Sequence, residues 1–208
     1  MLKLATVILT ILGFTLSAQA HQHFDPQPDA NVKIVVDVTK STLLWEGYKV
    51  TGKHNGSVNI QSGELVLRDG NLRSGKFVID MTTIEVHDLE GNSRTRLENH
   101  LKSDDFFGVS THPQATFTIE KTTPAAQKGA YKVEGKLTIK NITHPISFDA
   151  KVTEENGMTI ATADIKVDRS KFDVRYGSGS FFDNLGDKTI YDEFDVKVRL
   201  VGEAVAAN

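Results

Sequence analysis

Apolar and polar residues alternate with a period of two along most of the chain after residue 31. In one such run, Ala115, Phe117 and Ile119 are separated by threonines. Because successive side chains of a β-strand point to opposite faces of a sheet, each run predicts a strand with one apolar face and one polar face. The pattern gives about eight or nine strands, at about residues 32–38, 42–50, 56–67, 71–85, 115–122, 130–140, 143–154, 157–169 and 190–202.

Residue pairs that tolerate positive φ angles mark the turns between strands. Asn55-Gly56, Asp69-Gly70 and Asn156-Gly157 each predict a two-residue hairpin turn. The alternation changes parity within the third strand, which predicts a bulge at Ser62-Gly63. So many antiparallel strands with one apolar face form a sandwich or a closed barrel, and closure favours the barrel because it removes exposed edges.

One helix is predicted, after the fourth strand. Thr95 and Glu98 fit a capping box at its start, and Leu97 and Leu101 then fall on one face. At most about two turns follow from this pattern. We expect the short helix to lie across one end of the barrel, with the Phe106-Phe107 pair packed inward behind it.

A second long segment without strand alternation precedes the last strand, at residues 172–189. It combines glycines, which give the backbone freedom, with aromatic side chains, which favour burial. A loop with both properties is expected to pack over an opening and to move. Its aromatic residues are Phe172, Tyr176, Phe181 and Phe182.

The N-terminus has the pattern of a secretory signal. Lys3 precedes an apolar stretch from residue 4 to residue 16, and Ala18-Gln19-Ala20 fits a cleavage site. An uncleaved membrane anchor is the alternative. We therefore predict a signal peptide at 1–20, a flexible mature N-terminus at 21–31 and a barrel domain at 32–208. The mature protein would be periplasmic or secreted, with no transmembrane segment once the signal is removed.

Composition narrows the function further. The chain has no cysteine, so no disulfide framework holds it. Its formal net charge is −3, and its lysines and arginines form no basic stripe of the kind that binds nucleic acid. The sequence also lacks a G-x-S-x-G motif, an H-E-x-x-H motif and a cysteine nucleophile. We therefore predict that the protein is not an enzyme and does not bind nucleic acid.

Histidines offer one candidate metal site. If cleavage follows Ala20, the free amine of His21, two backbone amides and the imidazole of His23 could bind Cu(II) or Ni(II) in a square plane. Chance placement in a flexible tail is the simpler interpretation. The other histidines lack the spacing of metal ligands; they are His54, His87, His100, His112 and His144.

Residues 97–119 place the predicted helix, the Phe106-Phe107 pair and a strand begun by Pro113 in direct succession. This stretch resembles the signature of the YceI-like family. The resemblance extends, in the same order and spacing, to residues 44–56, 75–84, 133–146 and 165–177. It implies an all-β fold, an antiparallel eight-stranded lipocalin-like β-barrel with one short helix across an end.

The resemblance also implies a function. Members of the family hold isoprenoid lipids or other amphiphiles in an apolar interior. The chain is therefore expected to bind an isoprenoid quinone or polyprenyl-type lipid as a carrier, a store or part of a stress response, with no other cofactor required. A homodimer is one possible assembly. The alternatives are a structural or interaction barrel whose interior is a filled core and, ranked last, an enzyme acting on a lipid-like substrate.

Candidate site residues follow from the predicted inward positions and from the two non-strand segments. Four side chains that can hydrogen-bond a carbonyl or pair with an anion are candidates for head-group contact: His100, His112, Arg169 and Arg175. The expected cavity residues are Tyr48, Phe77, Ile79, Leu97, Leu101, Phe106, Phe107, Phe117, Leu137, Ile139, Phe148, Phe172, Tyr176, Phe181 and Phe182.

Overall fold

The computed structural model describes residues 31–205, which form one antiparallel sheet of nine strands that closes on itself. The predicted all-β barrel is confirmed. Each strand pairs with its sequence neighbour from β2 to β9, and β9 pairs with β2 to complete the ring. The strands are β1 (Asn31–Val36), β2 (Thr42–Lys49), β3 (Gly52–Arg68), β4 (Asn71–Val86), β5 (Gln114–Pro124), β6 (Ala130–Ile139), β7 (Ile142–Glu155), β8 (Met158–Asp168) and β9 (Ile190–Val205).

Two short strands share one position of the ring, so nine strands fill eight positions. β2 lies between residues 52–57 of β3 and residues 190–199 of β9. β1 lies further along the same two neighbours, between residues 64–68 of β3 and residues 202–205 of β9. Residues 37–41 separate the two strands. The seam between β1 and β2 therefore interrupts one strand of the wall while the barrel stays closed.

Two of the three predicted hairpin turns are confirmed. The φ angles are 53° and 72° at Asp69 and Gly70, and 51° and 78° at Asn156 and Gly157. Both residues of each turn thus have positive φ, which matches the twist of the flanking strands. Lys140 and Asn141 form a further turn of this kind, with φ angles of 51° and 60°, although neither is glycine.

The third predicted turn, at Asn55-Gly56, is wrong because both residues lie inside β3. The chain reverses instead at residues 50–51. Gly56 is needed for a close approach between strands, since a Cβ atom there would lie 1.8 Å from the carbonyl oxygen of Glu85 and 2.6 Å from the Trp45 ring. The predicted bulge is present one residue early, between Ile60 and Ser62.

The helix, α1, spans Gly91–Lys102 and is longer than the predicted two turns. The predicted capping box is wrong because Thr95 lies inside the helix, where its hydroxyl donates to the Gly91 carbonyl at 3.3 Å. The N-cap residue, Glu90, forms no side-chain cap. Glu98 instead accepts hydrogen bonds from the Val86 amide at 2.9 Å and from Arg94 Nε at 2.8 Å. The glutamate therefore fixes the helix to the end of β4.

The two ends of the barrel differ. The helix end carries α1, the turn at residues 50–51, the turn at 140–141, and the loop from residue 169 to 189. That loop includes two 3-10 turns, Arg169–Phe172 and Gly186–Lys188. The far end carries β1 and the remaining hairpin turns.

The predicted signal peptide at 1–20 and the metal ligands His21 and His23 lie outside the described residues, as does nearly all of the predicted mature N-terminus. Within residues 31–205, no helix is long and apolar enough to cross a membrane.

Candidate ligand-binding cavity

The barrel encloses an apolar cavity of about 290 Å³ that extends from the helix end toward the far end. This volume is close to the lower end of the range of small-molecule pockets, roughly 300–1,000 Å³. It far exceeds the roughly 10–15 Å³ that one water molecule needs. The side chains therefore leave part of the interior open, and the alternative of a filled core does not match the structure.

Eleven of the fifteen predicted cavity residues border this cavity, and they come from strands, from α1 and from the turn after it. They are Tyr48, Phe77, Ile79, Leu97, Leu101, Phe106, Phe107, Phe117, Leu137, Ile139 and Phe148. Period-two alternation identifies the inward face for the strand residues other than Tyr48. Contact of these residues with a lipid stays a prediction.

Large and small side chains occupy different parts of the wall. The Phe117 ring stacks on Phe77, with centroids 6.3 Å apart, and lies 5.4 Å from the Phe148 ring. Ala150 and Ala163 face each other across the pairing of β7 and β8, and both border the cavity. The small alanine side chains leave open the space that larger residues would fill, which explains why the interior is not solid.

The helix end of the cavity is closed by α1 and the turn that follows it. Leu97 and Leu101 project from the helix onto the cavity. Phe106 is buried, and its ring centroid lies 5.3 Å from that of Phe107. The prediction that a helix and a Phe-Phe pair lie at one barrel end therefore agrees with the structure.

The four aromatic residues predicted from the loop do not border the cavity. Phe172 is buried in the core against the His144 ring, and Tyr176 packs edge-on against His100 at 4.4 Å. Phe181 and Phe182 are exposed to solvent. The reason is that the loop backbone bonds to itself and to the start of β9, as in the bond from the Ile190 amide to the Gly177 carbonyl, so its ring side chains do not turn inward.

Arg169 borders the cavity, but its donors serve the protein backbone. It is 2% exposed. Its Nε, Nη1 and Nη2 atoms donate to the carbonyls of Tyr191, Val174 and Ile190 at 3.1, 2.7 and 3.0 Å. Burial lowers the pKa of the guanidinium, while Asp192, whose Oδ1 is 3.5 Å away, opposes that effect. Arg169 thus ties the loop to β9.

Of the other three head-group candidates, one borders the cavity and two do not. His100 borders the cavity, between the Phe106 and Tyr176 rings. Arg175 does not; it is exposed, pairs with Asp173 and lies over the Phe181 ring. His112 does not border the cavity either, and within residues 31–205 its buried Nδ1 atom has no hydrogen-bond partner. The cavity therefore brings together only His100 and Arg169 of the four.

Tyr48 borders the cavity while its hydroxyl turns outward. The hydroxyl donates to Asp195 Oδ2 at 2.6 Å and also lies 2.8 Å from Glu46 Oε1. These carboxylates, first Asp195 and then Glu46, raise the pKa of Tyr48 well above its ordinary value. The outward cluster also includes Lys53 and Lys166, which pair with Glu46 and Asp195. The phenol therefore belongs to the outer surface.

His54 is a cavity residue that the sequence analysis considered only as a metal ligand. It lies on β3 with the same parity as the inward residues Val58 and Ile60, which is the signal that could have identified it. Its Nδ1 atom is 2.7 Å from Asp88 Oδ2. Burial tends to raise the pKa of Asp88, but hydrogen bonds from the Asn55 amide and from His54 outweigh burial and lower it.

Over residues 31–205, no group of three or more histidine, aspartate or glutamate side chains is arranged to hold a metal ion. Two of the polar side chains at the cavity border, His54 and Arg169, are instead bound to partners of their own. The site therefore has the chemistry of an apolar container with a few polar groups near the helix end.

Comparison with protein families gives a match over most of the chain. The family model described as YceI-like domain matches residues 34–202. A UPF0312 protein of Pectobacterium atrosepticum is 35% identical over 98 residues, which cover 47% of this chain and 47% of that protein. A UPF0312 protein of Yersinia enterocolitica is 31% identical over 98 residues, which cover 47% and 48%. The matched region thus spans about half the length of these relatives.

Solved structures of similar fold also match. BcnA of Burkholderia cenocepacia has a TM-score of 0.66 and 24% identity, covering 80% of this chain and 98% of that one. A polyisoprenoid binding domain of Saccharophagus degradans, implicated in plant cell wall breakdown, has a TM-score of 0.61 and 13% identity, covering 83% and 98%. At these identities the likeness shows the fold.

Proposed function

Because the chain belongs to the YceI-like domain family, we propose that it binds the tail of an isoprenoid lipid inside its barrel and carries or stores that lipid. The observation that carries the proposal is the apolar cavity of about 290 Å³. Its lining comes from all around the ring, so a ligand inside would be enclosed by the wall. The polyisoprenoid binding domain of similar fold supports this choice of ligand.

The affinity of such a ligand would come mainly from its tail. Burial of each CH₂-sized group contributes about 0.8 kcal/mol, so a tail of several prenyl units binds tightly with few polar contacts. This explains why an almost wholly apolar lining suits the task. The head group would lie at the helix end, where the polar border residues His54, His100 and Arg169 are found.

We propose that the protein binds this lipid in the periplasm or outside the cell, because its first twenty residues have the pattern of a secretory signal. An isoprenoid quinone or a polyprenyl-type lipid is the proposed cargo, with no other cofactor required. A binding role without catalysis fits the family and the almost wholly apolar lining.

The direct test is organic extraction of the purified protein followed by mass spectrometry. We expect an isoprenoid lipid in stoichiometric amounts that withstands repeated chromatography. Repeated recovery of lipid-free protein, together with unfolding that added lipid does not affect, would instead indicate a barrel that binds no lipid.

A matched pair of variants separates cavity binding from surface adhesion. Ala163→Phe places a ring in the cavity. Asp164→Phe places the same ring at the next residue of β8, which lies on the outer face of the barrel. We expect Ala163→Phe to reduce the extracted lipid several-fold and Asp164→Phe to leave it unchanged. Equal lipid content in both variants would place the lipid outside the barrel.

A further inference from the structure

The imidazole of His54 stands beside open space at the cavity border. His54 pairs across the strands with Gly47, and both border the cavity. A Cβ atom added at Gly47 would meet no atom within 4 Å. The absence of a side chain at Gly47 therefore leaves room next to the ring for part of a ligand.

Asp88 fixes the hydrogen-bonding state of that imidazole. Its Oδ2 atom is 2.7 Å from His54 Nδ1, and its Oδ1 atom accepts the Asn55 amide at 3.0 Å. Both carboxylate oxygens are thus engaged, which holds the carboxylate in place. Because a carboxylate accepts hydrogen bonds, Nδ1 carries the proton in the neutral ring. The other ring nitrogen, Nε2, is then an acceptor, and no residue from 31 to 205 bonds to it.

Two neighbouring donors at the border, those of Arg169 and Tyr48, are already committed to other partners. Arg169 donates from Nε, Nη1 and Nη2 to backbone carbonyls, and the Tyr48 hydroxyl donates to Asp195. A ligand hydroxyl would find an acceptor in His54.

We propose that His54 is a specificity-determining residue that selects lipids whose head group donates a hydrogen bond, accepting that bond at Nε2. The inference rests on the proposed lipid-binding function and narrows it to an isoprenoid alcohol or a hydroquinone. A quinone or a prenyl ether with the same tail lacks the donor and binds less tightly.

The test uses pairs of ligands that differ only in the donor. Trp45 is the single tryptophan and borders the cavity, so its fluorescence reports binding in the purified, delipidated chain. Farnesol is titrated against farnesyl methyl ether, and a prenylated hydroquinone against its quinone. We expect the donor of each pair to bind about two- to tenfold more tightly, the range that one neutral hydrogen bond contributes. The pair with the larger ratio identifies which hydroxyl the site prefers.

His54→Phe removes the acceptor and keeps an aromatic ring in place. We expect it to bind farnesol and its methyl ether equally. Asp88→Asn, which no longer fixes the protonated nitrogen, should lose part of the preference. A preference for farnesol that persists in His54→Phe would overturn the inference.

A measurement on the unaltered protein covers the case in which these variants do not fold. Two-bond ¹H–¹⁵N spectra of the imidazole report the state of each ring nitrogen, and farnesol should shift the His54 Nε2 resonance while the ether does not. Equal binding of both ligands with no shift at Nε2 would refute the role of His54 and leave lipid binding intact. Failure of all the ligands to bind would refute the proposed function itself.

Discussion

Arg169 is a buried charge whose partners are almost all backbone carbonyls, and its role is testable by substitution. Arg169→Met keeps most of the aliphatic part of the side chain but leaves the carbonyls of Val174, Tyr191 and Ile190 without the guanidinium donor. It also leaves Asp192 without its nearby cation. We expect the free energy of unfolding to fall by about 3–5 kcal/mol, as for other buried charges deprived of one partner. Urea denaturation measures the change.

Arg175→Met is the matched control for this substitution. Arg175 lies in the same loop, is exposed and pairs with Asp173, which is also exposed. Its loss should change stability by no more than about 0.5 kcal/mol. Equal effects of the two substitutions would mean that the carbonyl contacts of Arg169 contribute nothing to the fold.

Gly56 gives a second prediction, which depends on the single Cβ atom that alanine would add there. Gly56→Ala would put a Cβ atom 1.8 Å from the Glu85 carbonyl oxygen, a clash that only separation of β3 from β4 relieves. We expect a loss of about 2 kcal/mol or more in thermal or urea unfolding. Gly47→Ala, on the facing strand, meets no atom within 4 Å and should cost less than about 1 kcal/mol. A comparable loss at both positions would show that glycine at 56 is not needed for close packing.

Individual residues were predictable from the sequence where parity alone decides their position. Phe117, Leu137 and Ile139 alternate with polar neighbours, so their inward direction follows from strand geometry. The partners of a polar residue do not follow in this way. His54 meets Asp88, 34 residues away, only because β3 and β4 pair in one register.

At the scale of elements, the attachment of α1 to β4 depends on the ionised form of Glu98. Hydrogen bonds from Arg94 first, and then from the Val86 amide, lower its pKa below the ordinary value of 4.5. The folded-state pKa is depressed, so this stabilisation is present above pH 4.5 and is lost as the pH falls through the folded-state value. Glu98→Gln should therefore destabilise the protein by about 1 kcal/mol at pH 7.

The difference between Glu98→Gln and the unaltered protein should shrink as the pH falls below 4.5, which denaturant titrations at several pH values would measure. Glu90→Gln is the control, because Glu90 precedes the same helix and forms no side-chain cap. A pH-independent difference for Glu98→Gln would indicate that its charge is not involved.

The presence and type of each strand and helix were easier to predict than the residues at which it begins and ends. All nine strands are present near the predicted positions because alternation persists over many residues. The start of α1 was misplaced, since Thr95 and Glu98 have the spacing of a capping box but the helix begins at Gly91, whose φ is +54°. Asn55-Gly56 failed as a turn for a similar reason: a short motif cannot distinguish a turn glycine from one required by a neighbouring strand.

At the scale of the whole molecule, the cavity itself should limit stability. Unfilled apolar volume costs free energy because the lining atoms lack contact partners. Ala163→Phe should therefore leave the delipidated protein as stable as the unaltered chain, or more stable by about 1 kcal/mol, although it reduces lipid content. Thermal unfolding of delipidated samples gives this comparison. A large loss of stability would mean that the space beside Ala163 is too narrow for a ring.

Closure of the sheet was predictable from the number of strands with one apolar face, but the presence of a cavity was not. Alternation reports which residues point inward and says nothing about whether their summed volume fills the interior. Pairs such as Ala150 and Ala163 leave space only because β7 and β8 pair in that register. The family resemblance supplied the expectation of an open interior.

The seam between β1 and β2 gives the barrel an unequal resistance to opening. β1 contributes only six residues, and its neighbours β3 and β9 remain joined through β2 when it detaches. We expect this local opening to cost less free energy than global unfolding, so that the amide protons of β1 exchange with solvent faster than those of the longer strands. Water that enters when β1 opens would reach the far end of the barrel, which β1 helps to form.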